Sequence, residues 1–316
     1  LFVGPALAET VPVITDAVPI VQFKHGSDET RFGTFQFLGG LSFTSSEDLL
    51  GAMSSIRFRP DGERFVSVLD TGHWLTGRIE RDGEGRLSGL TDLSISTMLD
   101  THGEVPRYKG DIDAEGLALR SGQAIVSFER DHRVEIYPDP GFENAKPERG
   151  LDIIIPQREL RGNGGLETVV VAPLESPLQG ALVTISEQSV DRVGNLFAAI
   201  LEGPLKGQFK VKRNDPWAVT DGAFLPDGDL LLLERRFSFL GGVGMRIRRI
   251  KAGDIRPGAL VDGPVQIEAD MSDQIDNMEG IDVVAGVDGR SHIILVSDDN
   301  HSILQRNLML EFRLAE

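Results

Sequence analysis

The chain has 316 residues, 40% hydrophobic and 26% charged. That is enough apolar content for a large core and too much for a disordered chain. Its 49 acidic and 32 basic side chains leave a formal net charge of −17, which argues against nucleic acid or an anionic membrane as the main partner. There is no cysteine, so disulfides, zinc–thiolate sites and cysteine nucleophiles are excluded.

The first residues, ending in Ala6-Leu7-Ala8-Glu9, look like the small-x-small end of a secretory signal. Residues 1–9 are therefore read as a signal remnant or disordered N-terminus, and 10–316 as the domain. A periplasmic or secreted location is expected. No apolar run reaches the ~18 residues that cross a bilayer, so no integral membrane segment is expected, and the chain is taken as a monomer.

Val18 to Lys24 and Arg31 to Phe43 read as extended segments. Alternation in the second is imperfect, because Phe35 and Phe37 interrupt it; a strand covered on both faces fits. From Gly51 onward one unit recurs: a marked residue, a short apolar strand, a turn, a second apolar strand and an acid. The first copy is Ile56 to Phe58, the turn Arg59-Pro60-Asp61-Gly62, then Phe65 to Leu69 and Asp70. The second starts at Asp113-Ala114-Glu115-Gly116, turns at Ser121-Gly122 and ends in Glu129-Arg130-Asp131-His132. The third runs from Glu167 to Glu187, the fourth from Asp221 to Glu234-Arg235, and the fifth from Glu279 to Asp298. Further strands after each pair complete a four-stranded unit.

Aligned on Ser55, Glu115, Glu167, Asp221 and Glu279, the copies are 60, 52, 54 and 58 residues apart. Repeats near this length, each with four strands, mark a β-propeller. The reading is an all-β, single-domain propeller. Five copies argue for five blades, with the N-terminal strand closing the ring; an N-terminal unit of its own would make six.

Both strands of a hairpin bring one end to the same rim. The first acids (Glu115, Glu167, Asp221, Glu279) and the second (Asp70, Glu129, Glu187, Glu234, Asp298) should converge on a central mouth. Two like charges 4 Å apart cost roughly 1 kcal/mol in water and several times that near a low-dielectric wall. Bound cations, arginines, backbone N–H groups or protonation must offset this. Hard oxygen ligands favour calcium. Such acids can also cap loops and tie blades together. Three copies add a histidine three residues after the acid: His73, His132 and His301. These could ligate metal or move protons, or cap loops. Arg130 and Arg235 follow strand-end glutamates and could hold phosphate, or pair locally between blades.

Several segments resemble the phytase-like family, also called esterase-like activity of phytase. Leu50-Gly51-Ala52-Met53-Ser54-Ser55 with Leu69-Asp70-Thr71-Gly72 is similar to its "GGLSGL…SDRG" opening. Asp113-Ala114-Glu115-Gly116-Leu117 with Ser127-Phe128-Glu129-Arg130 is similar to "DAEGL…SFER". Gly165-Leu166-Glu167, Asp221-Gly222 with Leu233-Glu234-Arg235, and Asn277-Met278-Glu279-Gly280 with Ser297-Asp298-Asp299-Asn300 follow in order. Ala52-Met53 departs from Gly-Leu, and Thr71 stands where Arg is usual.

The resemblance implies an exported propeller related to phytases that use calcium to bridge carboxylates and substrate phosphate. The leading expectation is therefore a calcium-dependent hydrolase of a small phosphate ester. Asp70, Glu115, Glu167, Glu187, Asp221, Glu234, Glu279 and Asp298 are its candidate metal ligands. Glu115, Glu129, His132, Asp298 and His301 are the candidate catalytic groups, and Arg130, Arg235 and His73 would contact substrate. The alternatives are a non-catalytic propeller that binds a ligand or partner protein, and a lactonase-like esterase.

Overall fold

The computed structural model describes residues 9–238, 241–286 and 288–315. The expected signal remnant and residue 287 of the fifth turn fall outside these, Glu9 excepted. Among the described residues the only helices are 3₁₀ turns of three residues each. All other regular structure is strand.

The strands form five sheets. Blade 1 runs outward through Met53–Phe58, Arg64–Leu69, His73–Arg81 and Leu87–Thr97, with Thr10–Val13 added outside. Blade 2 is Ala114–Arg120, Gln123–Phe128, Arg133–Pro138 and Arg149–Leu151. Blade 3 is Leu166–Val171, Leu182–Val190, Leu196–Ile200 and Gly207–Val211, with Leu260–Val261 paired in parallel at its edge. Blade 4 is Ala218–Phe224, Leu230–Ser238, Gly242–Ile250 and Val265–Ala269.

Blade 5 takes three strands from the C-terminal part, Asn277–Ala285, Ser291–Asp298 and Asn307–Leu314. Its outer strands, Phe35–Ser45 and Thr15–Ile20, come from the N-terminal part. The N-terminal strand thus closes the ring as expected and, among the described residues, leaves no sixth unit. Closure covers edges that would otherwise template further pairing.

The five-blade count is also written in the core. Five separate clusters of buried apolar residues each lie between two consecutive blades. One of them joins blade 5 to blade 1 through Leu41, Phe43, Ile294, Val296, Ile56 and Leu69. Each fully buried Leu, Ile, Val or Phe contributes roughly 1.5–3 kcal/mol, so the interfaces between blades hold the ring. The closing strand explains its own imperfect alternation. Phe35 and Phe37 pack toward blade 4, whereas Leu41 and Phe43 pack toward blade 1. A register shift at Gly39, where φ is 152°, carries the strand from one face to the other.

The hairpin turns of blades 1 and 4 share one local solution. Asp61 Oδ1 accepts the N–H groups of Glu63 (3.0 Å) and Arg64 (2.9 Å), and Gly62 takes a φ of 70°. In blade 4, Asp227 Oδ1 accepts the Asp229 N–H (3.0 Å) and Gly228 has a φ of 88°. These Pro-Asp-Gly turns fix the hairpin register, and so decide which residues reach the same rim.

Candidate functional site

In every blade the innermost strand slips against its neighbour near its start. Met53 faces Leu69 but Ser55 faces Val68, which leaves Ser54 as the extra residue. Leu166 faces Ser186 and Thr168 faces Ile185, leaving Glu167. The same arithmetic leaves Thr220 in blade 4 and Glu279 in blade 5. In blade 2, Ala114 faces Phe128 and Leu117 faces Val126, so Glu115 and Gly116 share the slip. A β-bulge bends the strand and re-aims a side chain. Here it sets Ser54, Glu115, Glu167, Thr220 and Glu279 at one level of the ring.

The slip corrects two sequence assignments. Ser55 and Asp221 lie one residue past the bulge, level with Gly116 and Gly280. Asp221 is fully buried away from the acid cluster, in the grip of Arg57. Arg57 Nη1 and Nη2 donate to its two oxygens at 2.9 and 2.8 Å, and Ser55 Oγ donates at 2.9 Å. The same guanidinium donates to the carbonyls of Ile56, Val169, Gly222 and Ile281. It ties together the inner strands of blades 1, 3, 4 and 5.

The second correction is Glu234. It faces Val219 across the hairpin, level with Leu69, Phe128, Ser186 and Ser297, so the residue in phase with the other rim acids is Arg235. Side chains alternate along a strand, and Glu234 points away into its blade. Arg246 Nε reaches it at 2.7 Å, and Arg248 Nε and Nη2 at 2.9 and 2.6 Å. Both arginines and the acid are buried, and this is a structural ion-pair network.

Of the remaining acids, Glu115, Glu129, Glu167 and Glu187 come together, with Asp113. Oxygens of Asp113, Glu115 and Glu129 lie within 4.8 Å of one another, and so do oxygens of Glu129, Glu167 and Glu187. Glu129 belongs to both groups. Its Oε1 accepts the N–H of Gly164 at 2.7 Å and that of Gly165, so blade 3 backbone orients a blade 2 carboxylate. Asp113, which opens the second copy but is not among the predicted site residues, joins this cluster and accepts a bond from Arg130 Nε.

Arg235 is a further cation of the cluster, with Nη2 3.3 Å from Glu187 Oε1 and Nε 3.1 Å from Glu279 Oε1. Asn277 Nδ2 donates to the same Glu279 oxygen at 2.8 Å. Between blades 5 and 1, the charge of Asp298 acts on Glu279 and that of Asp70 on Asp298.

The histidines lie at the edge of this arrangement. His132 is buried, its ring stacked where a Gly165 side chain would be, and neither ring nitrogen has a hydrogen-bond partner. His301 is exposed and takes the matching place over Gly51, beside Asp299. His73 Nδ1 is 3.0 Å from Thr71 Oγ1. Burial, with the neighbouring His301 adding to it, lowers the His73 pKa.

Burial is the largest influence on the acids. It and the charges of Glu129, Asp113, Glu279 and Asp70 push Glu115 well above the ordinary carboxylate range. Burial and the charges of Glu115, Glu187 and Glu129 do the same to Glu167. Glu187 is raised by burial against the pull of Arg235. Burial lifts Glu279 to about 8 against the opposing pull of Arg235, and lifts Asp298 to about 6. Ionised together, these groups lack sufficient countercharge. The donor set is all hard oxygen, which suits calcium and does not suit metals that prefer sulfur or nitrogen.

A family model described as "Phytase-like: Esterase-like activity of phytase" matches residues 48–301. No curated protein matches the chain significantly. Among solved structures, the chain is similar to the β-propeller domain of Myceliophteria thermophila Cps50 (Swd1). The identity is 10% and the TM-score 0.36, over 79% of this chain and 63% of that one. It is also similar to the PQQ-bound aldose sugar dehydrogenase of Streptomyces coelicolor. There the identity is 14% and the TM-score 0.47, over 96% of this chain and 99% of that one.

Proposed function

The chain belongs to the phytase-like family, whose model spans residues 48–301 of its 316, and from that premise we propose that it is a calcium-dependent hydrolase of phosphate esters. The observation that carries the proposal is the pair of carboxylate groups joined through Glu129, with oxygens within 4.8 Å of one another. Backbone N–H groups offset part of the charge on Glu129, and arginines part of that on Asp113 and Glu187; a shared cation or bound protons would offset the rest.

Glu115, Glu129, Glu167 and Glu187, with Asp113, are the residues that would hold calcium. When bound, it supplies positive charge and Lewis acidity where phosphate oxygens gather charge. Arg235 binds and orients the substrate anion, since its guanidinium faces Glu187 and Glu279 across the cluster and offers a planar fork to phosphate. Arg130, half exposed beside Asp113, offers a second cation at the rim. Asp298, which burial raises to about 6 in the cation-free chain, is assigned the role of general base toward water. Glu279, which burial raises to about 8 in the cation-free chain against the pull of Arg235, is assigned the role of proton donor.

Phosphate release from simple phosphomonoesters, with calcium and with a chelator, tests this. Turnover is expected with calcium, lost with chelator, and reduced at least about 10-fold in Glu129→Gln. Turnover indifferent to both, or none on any phosphate ester, refutes it.

A further inference from the structure

The fourth and fifth blades raise a wall beside the carboxylates. In blade 4 the second strand runs three residues past Arg235, to Ser238, and pairs with the strand that starts at Gly242. Near its end this strand carries Phe237, paired with Val243 and 68% exposed. Opposite it, the blade 5 segment after Asp298 carries Leu304, 87% exposed, and the adjoining loop carries Met271, 58% exposed. Between them lies a groove of about 460 Å³, within the size range of small-molecule sites. Its lining includes Phe237, Val243, Met271 and Leu304 on the apolar side, and Arg235 and Asn277 at the inner end.

Arg235 and Asn277 are the link. Both line the groove, and both contact Glu279. A molecule whose anion meets Arg235 at the carboxylate cluster therefore has an apolar trough leading away from that anion. Three large apolar side chains exposed together are unusual unless something covers them. A densely phosphorylated polyol would gain nothing from Phe237 and Leu304.

We propose that this groove is the leaving-group subsite, and that it selects phosphate esters whose alcohol is an aryl or similarly bulky apolar group. The proposal rests on the phosphate-ester reading of the same site. It adds the chemistry of the other half of the substrate, and it makes Phe237 and Leu304 specificity residues.

The test uses binding, so it does not depend on turnover. 1-Naphthylmethylphosphonate and methylphosphonate are titrated into the full chain with calcium present, for the natural sequence and for Phe237→Ser and Leu304→Ser. Both positions are exposed, so neither change should unfold the protein. The naphthyl compound is expected to bind roughly 10-fold or more tightly than the methyl compound. Each substitution should erase most of that advantage and leave methylphosphonate binding unchanged. Equal binding of the two compounds, or an advantage that survives both substitutions, overturns the subsite.

Rates of phosphate release from 1-naphthyl phosphate and glycerol 2-phosphate separate the two readings. If both esters are hydrolysed without a groove-dependent preference, the subsite fails and the phosphatase reading stands. If neither is hydrolysed and neither phosphonate binds, both fail. A change of oligomeric state in Phe237→Ser, seen by light scattering, would assign the groove to a second copy of the chain and also overturns the proposal.

Discussion

At the scale of single residues, the centre of the ring holds one buried ion pair and, beside it, an acid cluster with Arg235 among its cations. Arg57 and Asp221 satisfy each other almost completely, and the arginine also collects four backbone carbonyls from four blades. Removing one partner of such a pair strands the other. Arg57→Leu is expected to lower stability by about 3–5 kcal/mol, measured by denaturant unfolding; a loss under ~1 kcal/mol would show that the pair is incidental. The sequence displays Arg57 as a lone charge in an apolar strand. That signal was available, but the strand alone does not reveal which blade supplies the partner.

The acids carry a pH dependence whose sign is fixed. Glu279 titrates at about 8 when folded and near 4.3 in an unfolded chain. The folded state therefore holds the proton more tightly. The stability from this group is complete below the unfolded value and is lost as pH rises through 8. Glu115, Glu167 and Glu187 shift in the same direction. Cation-free protein should melt at a lower temperature at pH 8.5 than at pH 5, and Glu279→Gln should flatten part of that slope. A melting temperature that rises across this interval would contradict the shifts.

At the scale of the element, the site is made by a bulge, and the bulge explains the recurring acid-Gly pair. The residue after the acid sits where neighbouring inner strands approach most closely. A Cβ on Gly116 would lie 2.5 Å from the carbonyl oxygen of Glu167 and 2.8 Å from the nitrogen of Val169, and one on Gly280 would lie 3.2 Å from the nitrogen of Ile56. Gly116→Ala must push blades 2 and 3 apart. An overpacking loss of about 1–3 kcal/mol is expected, with weaker cation binding because Glu115 and Glu167 flank the displaced contact. Unchanged stability and binding would mean that the blades yield without strain.

The bulge also marks where sequence reading ran out. The acids of blades 2, 3 and 5 are visible because Glu115, Glu167 and Glu279 stand at the slip itself. In blade 4 the same position is Thr220, and an acid one residue later mimics the pattern. Likewise Glu234 and Arg235 are adjacent, and only the register decides that Arg235 faces the cluster while Glu234 turns to Arg246 and Arg248. A one-residue slip moves a side chain to the other face, and composition does not encode it.

At the scale of the whole molecule, the repeat was legible because every hairpin has two apolar runs and three of them share an Asp-Gly turn, at Asp61, Asp227 and Asp288. Ring closure followed from the leftover N-terminal strand, now seen as Phe35–Ser45 between Asn307–Leu314 and Thr15–Ile20. Five interblade cores make the ring rigid enough to hold like charges together, because no blade can move outward alone without opening two interfaces. What the ring gains from that rigidity is a close-set group of carboxylates, with Arg130 and Arg235 as neighbouring cations. A net charge of −17 strengthens the attraction for cations.

The most direct measurement is a calorimetric titration of calcium into chelator-treated protein at pH 7.5. Saturable binding is expected, with a dissociation constant of roughly 10⁻⁶–10⁻³ M, abolished by Glu129→Gln and weakened at pH 5.5. Absence of saturable binding, or binding that Glu129→Gln leaves intact, would contradict a cation site at the carboxylate cluster.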